Sequence, residues 1–347
     1  MPRAVACSDK FRGTLRAAEA TAAIAAGLAR SGFDDVVEVP LADGGEGTLD
    51  TLLAARGGAR RPARVTGPLG EPVDAEWGVI GGTAIVEMAQ ASGLVLVGSR
   101  NDPLRASTRG TGELIAAARR EGFTNVVVAV GGSATTDGGL AAVEALGWSL
   151  AGIEVTVACD VTTPFLDAAR VYGPQKGASS AQVSLLQRRL ERLAQVYVSR
   201  TGVDVTTVEG GGAAGGLAGG LAAIGARLIP GLDVVADLVG LDRALEGADL
   251  AVTGEGKFDA TSLDGKVVGG VLEWCADIGV PRVAVVAGQV ADDARTRLSE
   301  RDDVLVLSLT DRAYQASETY TRAAVLVEEA AVEAAGWALS GRGTSER

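Results

Sequence analysis

Short apolar runs rich in valine and alanine recur along this chain, and several are followed by a polar, glycine-rich stretch and then by a helical pattern. No other feature constrains the fold as strongly, because strand then helix, repeated, is how a parallel sheet reads. Residues 4–7 form the first run. Thr14 is placed to cap the helix that follows, in which Leu15, Ala18, Ala22, Ala25 and Leu28 share a face and Gly32 marks the end. Further strands are predicted over 36–39, 126–130, 155–159, 250–253, 283–287 and 304–307. Segments 75–80 and 83–88 are joined by Gly81-Gly82, a pair suited to a primed hairpin turn. Helices are predicted over 113–121, 182–198 (Leu186, Leu190 and Leu193 inward), 265–277 and 318–339, and the polar tail 340–347 is expected to fray.

The fold class predicted is α/β with two domains. Both terminal segments are βα-like, while the middle opens on a hairpin, so the pattern fits a middle domain inserted into an outer one. The expected division is 1–65 with 281–347 outside and 66–280 inserted. With 47% hydrophobic and 22% charged residues, the chain can bury a sizeable core.

The chain has no histidine, which excludes an imidazole base, a histidine-ligated metal and a Ser-His-Asp triad. Its net charge of −12 offers no basic surface to displace counterions from a nucleic acid. The three cysteines, Cys7, Cys159 and Cys275, are odd in number and scattered, so neither a disulfide framework nor a zinc site is expected. The start lacks a signal-peptide core and no apolar run approaches a membrane span, so the expectation is a soluble cytoplasmic protein without a membrane partner.

Five polar, glycine-rich stretches stand where loops of an open α/β fold line a ligand crevice: 8–13, 42–48, 131–139, 210–216 and 253–259. Such turns offer unpaired N–H groups to an anion and let a phosphate come close. The acids among the glycines suit Mg²⁺, which takes a few carboxylates plus phosphate oxygens. Each stretch also has a plainer reading. Gly210–Gly220 suits tight helix packing, Asp43 or Asp137 alone suits a cap or turn, and Lys176 or Lys266 alone suits a solvated surface charge. Together the five favour a phosphate-handling enzyme, although none fits the Walker or dinucleotide fingerprint.

The motifs PLADGGEGT (40–48), GGSATTDGG (131–139), YGPQKGA (172–178), GAAGGL (212–217) and TGEGKFDATSLDGK (253–266), with SDKFRGTL (8–15) and RNDPLRASTRGTGELI (100–115), resemble those of the class I bacterial glycerate kinases. The resemblance spans about residues 4–335. It implies ATP-dependent phosphorylation of D-glycerate with Mg²⁺, 2-phosphoglycerate being the favoured product. It also implies two α/β domains, one flavodoxin-like and inserted into the other, with the active site in the cleft between them. The chain departs from the family at Arg12 (usually lysine), Thr136 (asparagine), Lys257 (arginine) and Thr261-Ser262 (Gln-Thr).

Phosphoryl transfer asks for positioning and charge neutralisation. Without histidine the base must be a carboxylate, and Asp43, Asp137 and Asp259 are the catalytic candidates. Glu255 and Asp259 are the expected metal ligands. Arg12, Lys176 and Lys266 are candidate clamps for the glycerate carboxylate or the ATP phosphates. Asp9, Gly44, Gly45, Gly131, Gly132, Ser133, Gly215 and Gly216 complete the expected substrate and ATP contacts. Two alternatives stand beside this reading: a kinase of the same fold for another small hydroxy acid, and a non-catalytic metabolite-binding homologue.

Overall fold

The computed structural model describes residues 1–340; the tail expected to fray lies, after Ser340, outside the described residues. In chain order the strands are β1 Arg3–Ala6, β2 Asp35–Glu38, β3 Ala59–Thr66, β4 Pro72–Ile80, β5 Thr83–Glu87, β6 Asn125–Ala129, β7 Glu154–Ala158, β8 Arg227–Ile229, β9 Leu250–Phe258, β10 Val283–Val290 and β11 Val304–Ser308. They form two sheets, each in its own compact unit. Among the described residues the outer unit holds 1–43, 54–56 and 232–340, and the inner unit holds 44–53 and 57–231.

In the outer unit the order is β11-β10-β9-β1-β2, all parallel. Counting only this unit's strands, that is the 2-1-3-4-5 order of flavodoxin-like sheets, reversing direction between β1 and β9. The flavodoxin-like order therefore belongs to the outer unit, not to segment 66–280. The expected boundaries at 65 and 281 also move. β3 pairs antiparallel with β4, which ties 59–66 to the inner sheet. β9 lies between β1 and β10, which ties 250–258 to the outer one.

One face of the outer sheet presents Ala4, Ala6, Leu250, Val252, Ala284 and Val286 to a core shared with helices Ala17–Arg30 and Ala323–Ser340. Within the first helix Ile24, Ala25 and Leu28 are buried while Ala22 is exposed. Alanine suits either side of a helix, so an alanine-rich stretch marks its buried face poorly. The N-cap position is Arg16, whose backbone N–H and guanidinium donate to the Glu19 carboxylate, and the Thr14 hydroxyl instead donates to the Phe11 carbonyl. The terminal helix expected over 318–339 is two, Glu318–Thr321 and Ala323–Ser340, broken at Arg322.

The inner sheet runs β3 to β8 in sequence order, with β3-β4-β5 antiparallel and β5-β6-β7-β8 parallel. The hairpin at Gly81-Gly82 forms as expected: φ is +55° and +90°, the two left-handed residues of a type I′ turn. Its core gathers Trp77, Leu114, Ile115, Val126, Val128, Leu217 and Leu221. Helix Ser180–Thr201 opens on a Ser179/Gln182 capping box and buries Leu186, Leu190 and Leu193 beside Phe165 and Tyr197.

Candidate active site

At the carboxyl ends of the outer sheet, β9 outlasts β1. β1 ends at Ala6, while β9 stays paired with β10 as far as Phe258. The chain after β1 turns over β9's extension, where the Asp9 N–H and the Ser8 hydroxyl both donate to the Gly254 carbonyl, at 2.9 and 3.0 Å. This is the switch point of the sheet, where open α/β folds bind ligands. A cavity of about 520 Å³ opens there, a size within the usual range for small-molecule sites. Asp9, Arg12, Asp43, Glu255, Asp259 and Lys266 all line it. Six expected site residues from three sequence-distant motifs thus share one wall.

Their electrostatics are unbalanced. Burial pushes the Asp9 carboxyl up to about 7, with Asp43 and Glu255 adding repulsion against the pull of Lys10. Burial likewise raises Glu255 to about 7; the Ser262 hydroxyl and Lys266 oppose this, and Asp259 and Asp43 add to it. The Glu255 Oε1 is buried without a hydrogen-bond partner. Asp259 moves the other way, held down by the Thr261 hydroxyl and by Lys257 and Lys266. Its Oδ1 accepts from the Thr261 N–H and hydroxyl, capping the turn Ala260–Leu263. Lys266 Nζ donates to the Thr261 hydroxyl at 3.0 Å. Among the described residues the Arg12 guanidinium has no ion-pair partner, although it lines an acidic cavity.

The donor set suits a divalent cation of the kind that keeps several waters. An orphaned carboxylate oxygen on Glu255 faces neighbours that repel it, and the cavity leaves room for phosphate oxygens. Among the described residues no three acidic or thiol groups converge into a complete metal cage. Any cation here would therefore draw ligands from substrate and water.

The remaining expected residues lie in the inner unit and do different work. Asp137 is buried. Its Oδ2 accepts from the Thr108 N–H and hydroxyl, and its Oδ1 from the Gly139 N–H, tying together the starts of helices Arg109–Arg120 and Leu140–Ala145. Burial raises its pKa and those donors oppose the rise. Both of its oxygens are thus engaged by the fold, which matches the plainer reading of Asp137 as a cap or turn residue.

Lys176 is 3% exposed, not a surface charge; Nζ donates to the Ser133 hydroxyl at 2.7 Å and the Thr135 carbonyl at 2.6 Å. Burial pulls it down to about 7, against the attraction of Asp137. Both Ser133 and Lys176 are thus engaged with each other. Gly215 and Gly216 are closely packed: a Cβ at Gly215 would stand 2.0 Å from the Thr135 carbonyl oxygen, and one at Gly216 2.7 Å from Gly138 Cα. Gly44, Gly45, Gly131 and Gly132 belong to two loops in contact, where a Cβ at Gly131 would stand 2.5 Å from Gly45 Cα. Glu87, not singled out in the sequence, anchors the first of these loops by accepting from the Gly47 and Leu49 N–H groups. The Thr136 hydroxyl, where the family carries asparagine, is buried without a partner.

The sequence reading missed Lys10, Thr14, Gln289, Thr319 and Tyr320 of the cavity wall. Lys10 and Thr14 sit inside a quoted motif, but Gln289 lies near the end of β10 and Thr319 and Tyr320 follow β11, stretches with no glycine-rich signature of the same length.

The family model described as "Glycerate kinase family" matches residues 4–152 and 148–339. The chain belongs to the glycerate kinase family. Membership makes it a phosphotransferase for glycerate. It is 41% identical to glycerate 2-kinase of Escherichia coli K12 over 328 residues, covering 83% of this chain and 86% of the relative. It is 36% identical to glycerate kinase of Bacillus subtilis 168 over 362 residues, covering 93% and 94%. A crystal structure from Salmonella typhimurium LT2, assigned as a glycerate kinase 2, superposes with a TM-score of 0.82 at 34% identity, covering 100% of both chains. No helix among the described residues is long and apolar enough to cross a membrane.

Proposed function

We propose that this glycerate kinase transfers the γ-phosphoryl group of ATP to D-glycerate with Mg²⁺, giving 2-phosphoglycerate. The observation that carries the reading is the switch-point cavity, where carboxylates and cations from three motifs meet. The name of the Escherichia coli relative supports the 2-position.

Arg12, without an ion-pair partner among the described residues, takes the glycerate carboxylate through its forked donors. Asp9, raised to about 7 by burial and by Asp43, is matched to neutral pH and accepts the proton of the acceptor hydroxyl. Lys266 and Lys10 face the transferred phosphate. Glu255 and Asp259 would hold Mg²⁺. When bound, the ion neutralises phosphate charge and aligns the γ-phosphoryl group. Asp137, Lys176 and Ser133 hold the inner unit's loops in shape.

A phosphorus NMR spectrum of the product formed from ATP and D-glycerate tests the whole reading. A phosphomonoester on the 2-oxygen is expected, and formation must stop with EDTA. A 3-phosphate would overturn the regiochemistry, and far faster phosphorylation of another hydroxy acid would overturn the acceptor.

A further inference from the structure

The cavity wall follows strand order across the outer sheet. Asp43 comes after β2, and Asp9 and Arg12 after β1. Glu255 and Lys257 lie on β9, Gln289 on β10, and Thr319 and Tyr320 after β11. Gln289 stands directly opposite Lys257 in the β9–β10 ladder. The charged groups that suit glycerate and phosphate are thus gathered on β2, β1 and β9. The β10–β11 side contributes an amide, a hydroxyl and an aromatic ring, with no charge.

Tyr320 is the unusual member. Of the chain's other tyrosines, Tyr197 is buried and donates to the Gly138 carbonyl, half-buried Tyr172 pairs with the Thr163 hydroxyl, and Tyr314 is exposed away from the cavity wall. Tyr320 is 65% exposed yet lines the cavity, and its ring and hydroxyl have no partner among the described residues. Its short helix, Glu318–Thr321, is steadied by Arg322, which pairs with Glu318. An aromatic face held open beside an amide and a hydroxyl matches a flat heterocycle that offers a π-face and a hydrogen-bonding edge.

We infer that Tyr320, with Gln289 and Thr319, forms the subsite for the purine base of the phosphoryl donor. Tyr320 stacks on the base and the Gln289 amide meets its edge. The triphosphate then runs from β10 across β9 towards the acceptor beside β1. The inference rests on the proposed use of ATP.

The test is calorimetric titration with ADP and, separately, with tripolyphosphate, which has the phosphates but no base. Tyr320→Ala should weaken ADP binding about tenfold, the scale of one lost base–aromatic stack, while tripolyphosphate binding stays as in the wild type. Tyr320→Phe should restore ADP binding, and Gln289→Ala should narrow the preference for ADP over GDP. Wild-type ADP affinity in Tyr320→Ala would overturn the inference. So would equal loss of ADP and tripolyphosphate binding, or failure of phenylalanine to rescue. A wild-type protein that binds ADP through Tyr320 but does not phosphorylate glycerate would sink the proposed function and leave the subsite standing. Turnover of glycerate with an unchanged KM for ATP in Tyr320→Ala would do the reverse.

Discussion

The switch-point cavity and the Asp137–Lys176 cluster both contain acids and lysines from glycine-rich motifs, yet they treat their polar groups in opposite ways. In the cluster, Asp137 meets three donors and Lys176 two acceptors, all supplied by the protein. In the cavity, Glu255 keeps an oxygen without a partner, Arg12 lacks a counter-ion among the described residues, and Asp9 is crowded by like charge. A satisfied polar network stabilises the fold, whereas an unsatisfied one is stabilised by a ligand. The chemistry is therefore to be sought where the protein has left its own groups wanting.

The largest effect expected from this contrast is on turnover. Asp9→Asn should lower kcat by about 10²–10⁴-fold, the range for losing a general base. Its melting temperature should hold or rise, because the neutral amide relieves repulsion with Asp43 and Glu255. Steady-state kinetics with a thermal melt would check both, and wild-type kcat would transfer the role to Asp43.

Lys176→Ala should act on stability instead. It removes a buried side chain and leaves the Thr135 carbonyl with one donor fewer, a loss of about 2–3 kcal/mol. Urea unfolding measures this; an unchanged midpoint with lost substrate binding would move Lys176 from the fold to the substrate. Asp137→Asn is the milder counterpart. An amide can accept at one oxygen only, so one edge of the Thr108–Gly139 tie is broken, costing about 1–2 kcal/mol. Its kcat should change far less than that of Asp9→Asn, and a fall of similar size would erase the distinction between the two regions.

The smallest effect is on the pH dependence of stability, and the two regions should bend it in different windows. Asp9 and Glu255 have folded pKa values of about 7, above their ordinary 3.8 and 4.5. Their favourable contribution is full in acid and is lost as pH rises towards 7. Lys176 is depressed from 10.5 to about 7, so the folded chain holds fewer protons than the unfolded one between those values and stability recovers as pH rises through them. Melting curves across both windows should show Glu255→Gln flattening the lower limb and Lys176→Met the upper.

The sequence showed the parallel-sheet alternation, the Gly81-Gly82 hairpin and the acids of the cavity because each is a local pattern. β3 escaped because ARRPARVT carries three arginines and a proline, a composition that reads as a linker but suits an edge strand, where charge faces water and a missing N–H is tolerated. The packing of Asp137 and Lys176 is illegible in the sequence for a different reason. A motif reveals residue types, and only packing reveals whether their hydrogen-bonding capacity is already spent. Tyr320 was invisible because it stands in no motif; strand order alone places its loop beside β9 and β1.

The interleaving of the outer sheet also sets a timetable. Arg3 is held by Asp249, a separation of 246 residues, and β1 has β9 as one of its two neighbours. On a ribosome adding about 5–20 residues each second, β1 and β2 would wait on the order of ten seconds or more for that partner. Meanwhile 57–231, nearly the whole inner unit, would emerge in one continuous stretch able to close its own core. Synthesis thus completes the glycine-loop scaffold first and the charged cavity last, so a truncated chain ending before β9 would carry a finished inner unit and two apolar strands without their centre.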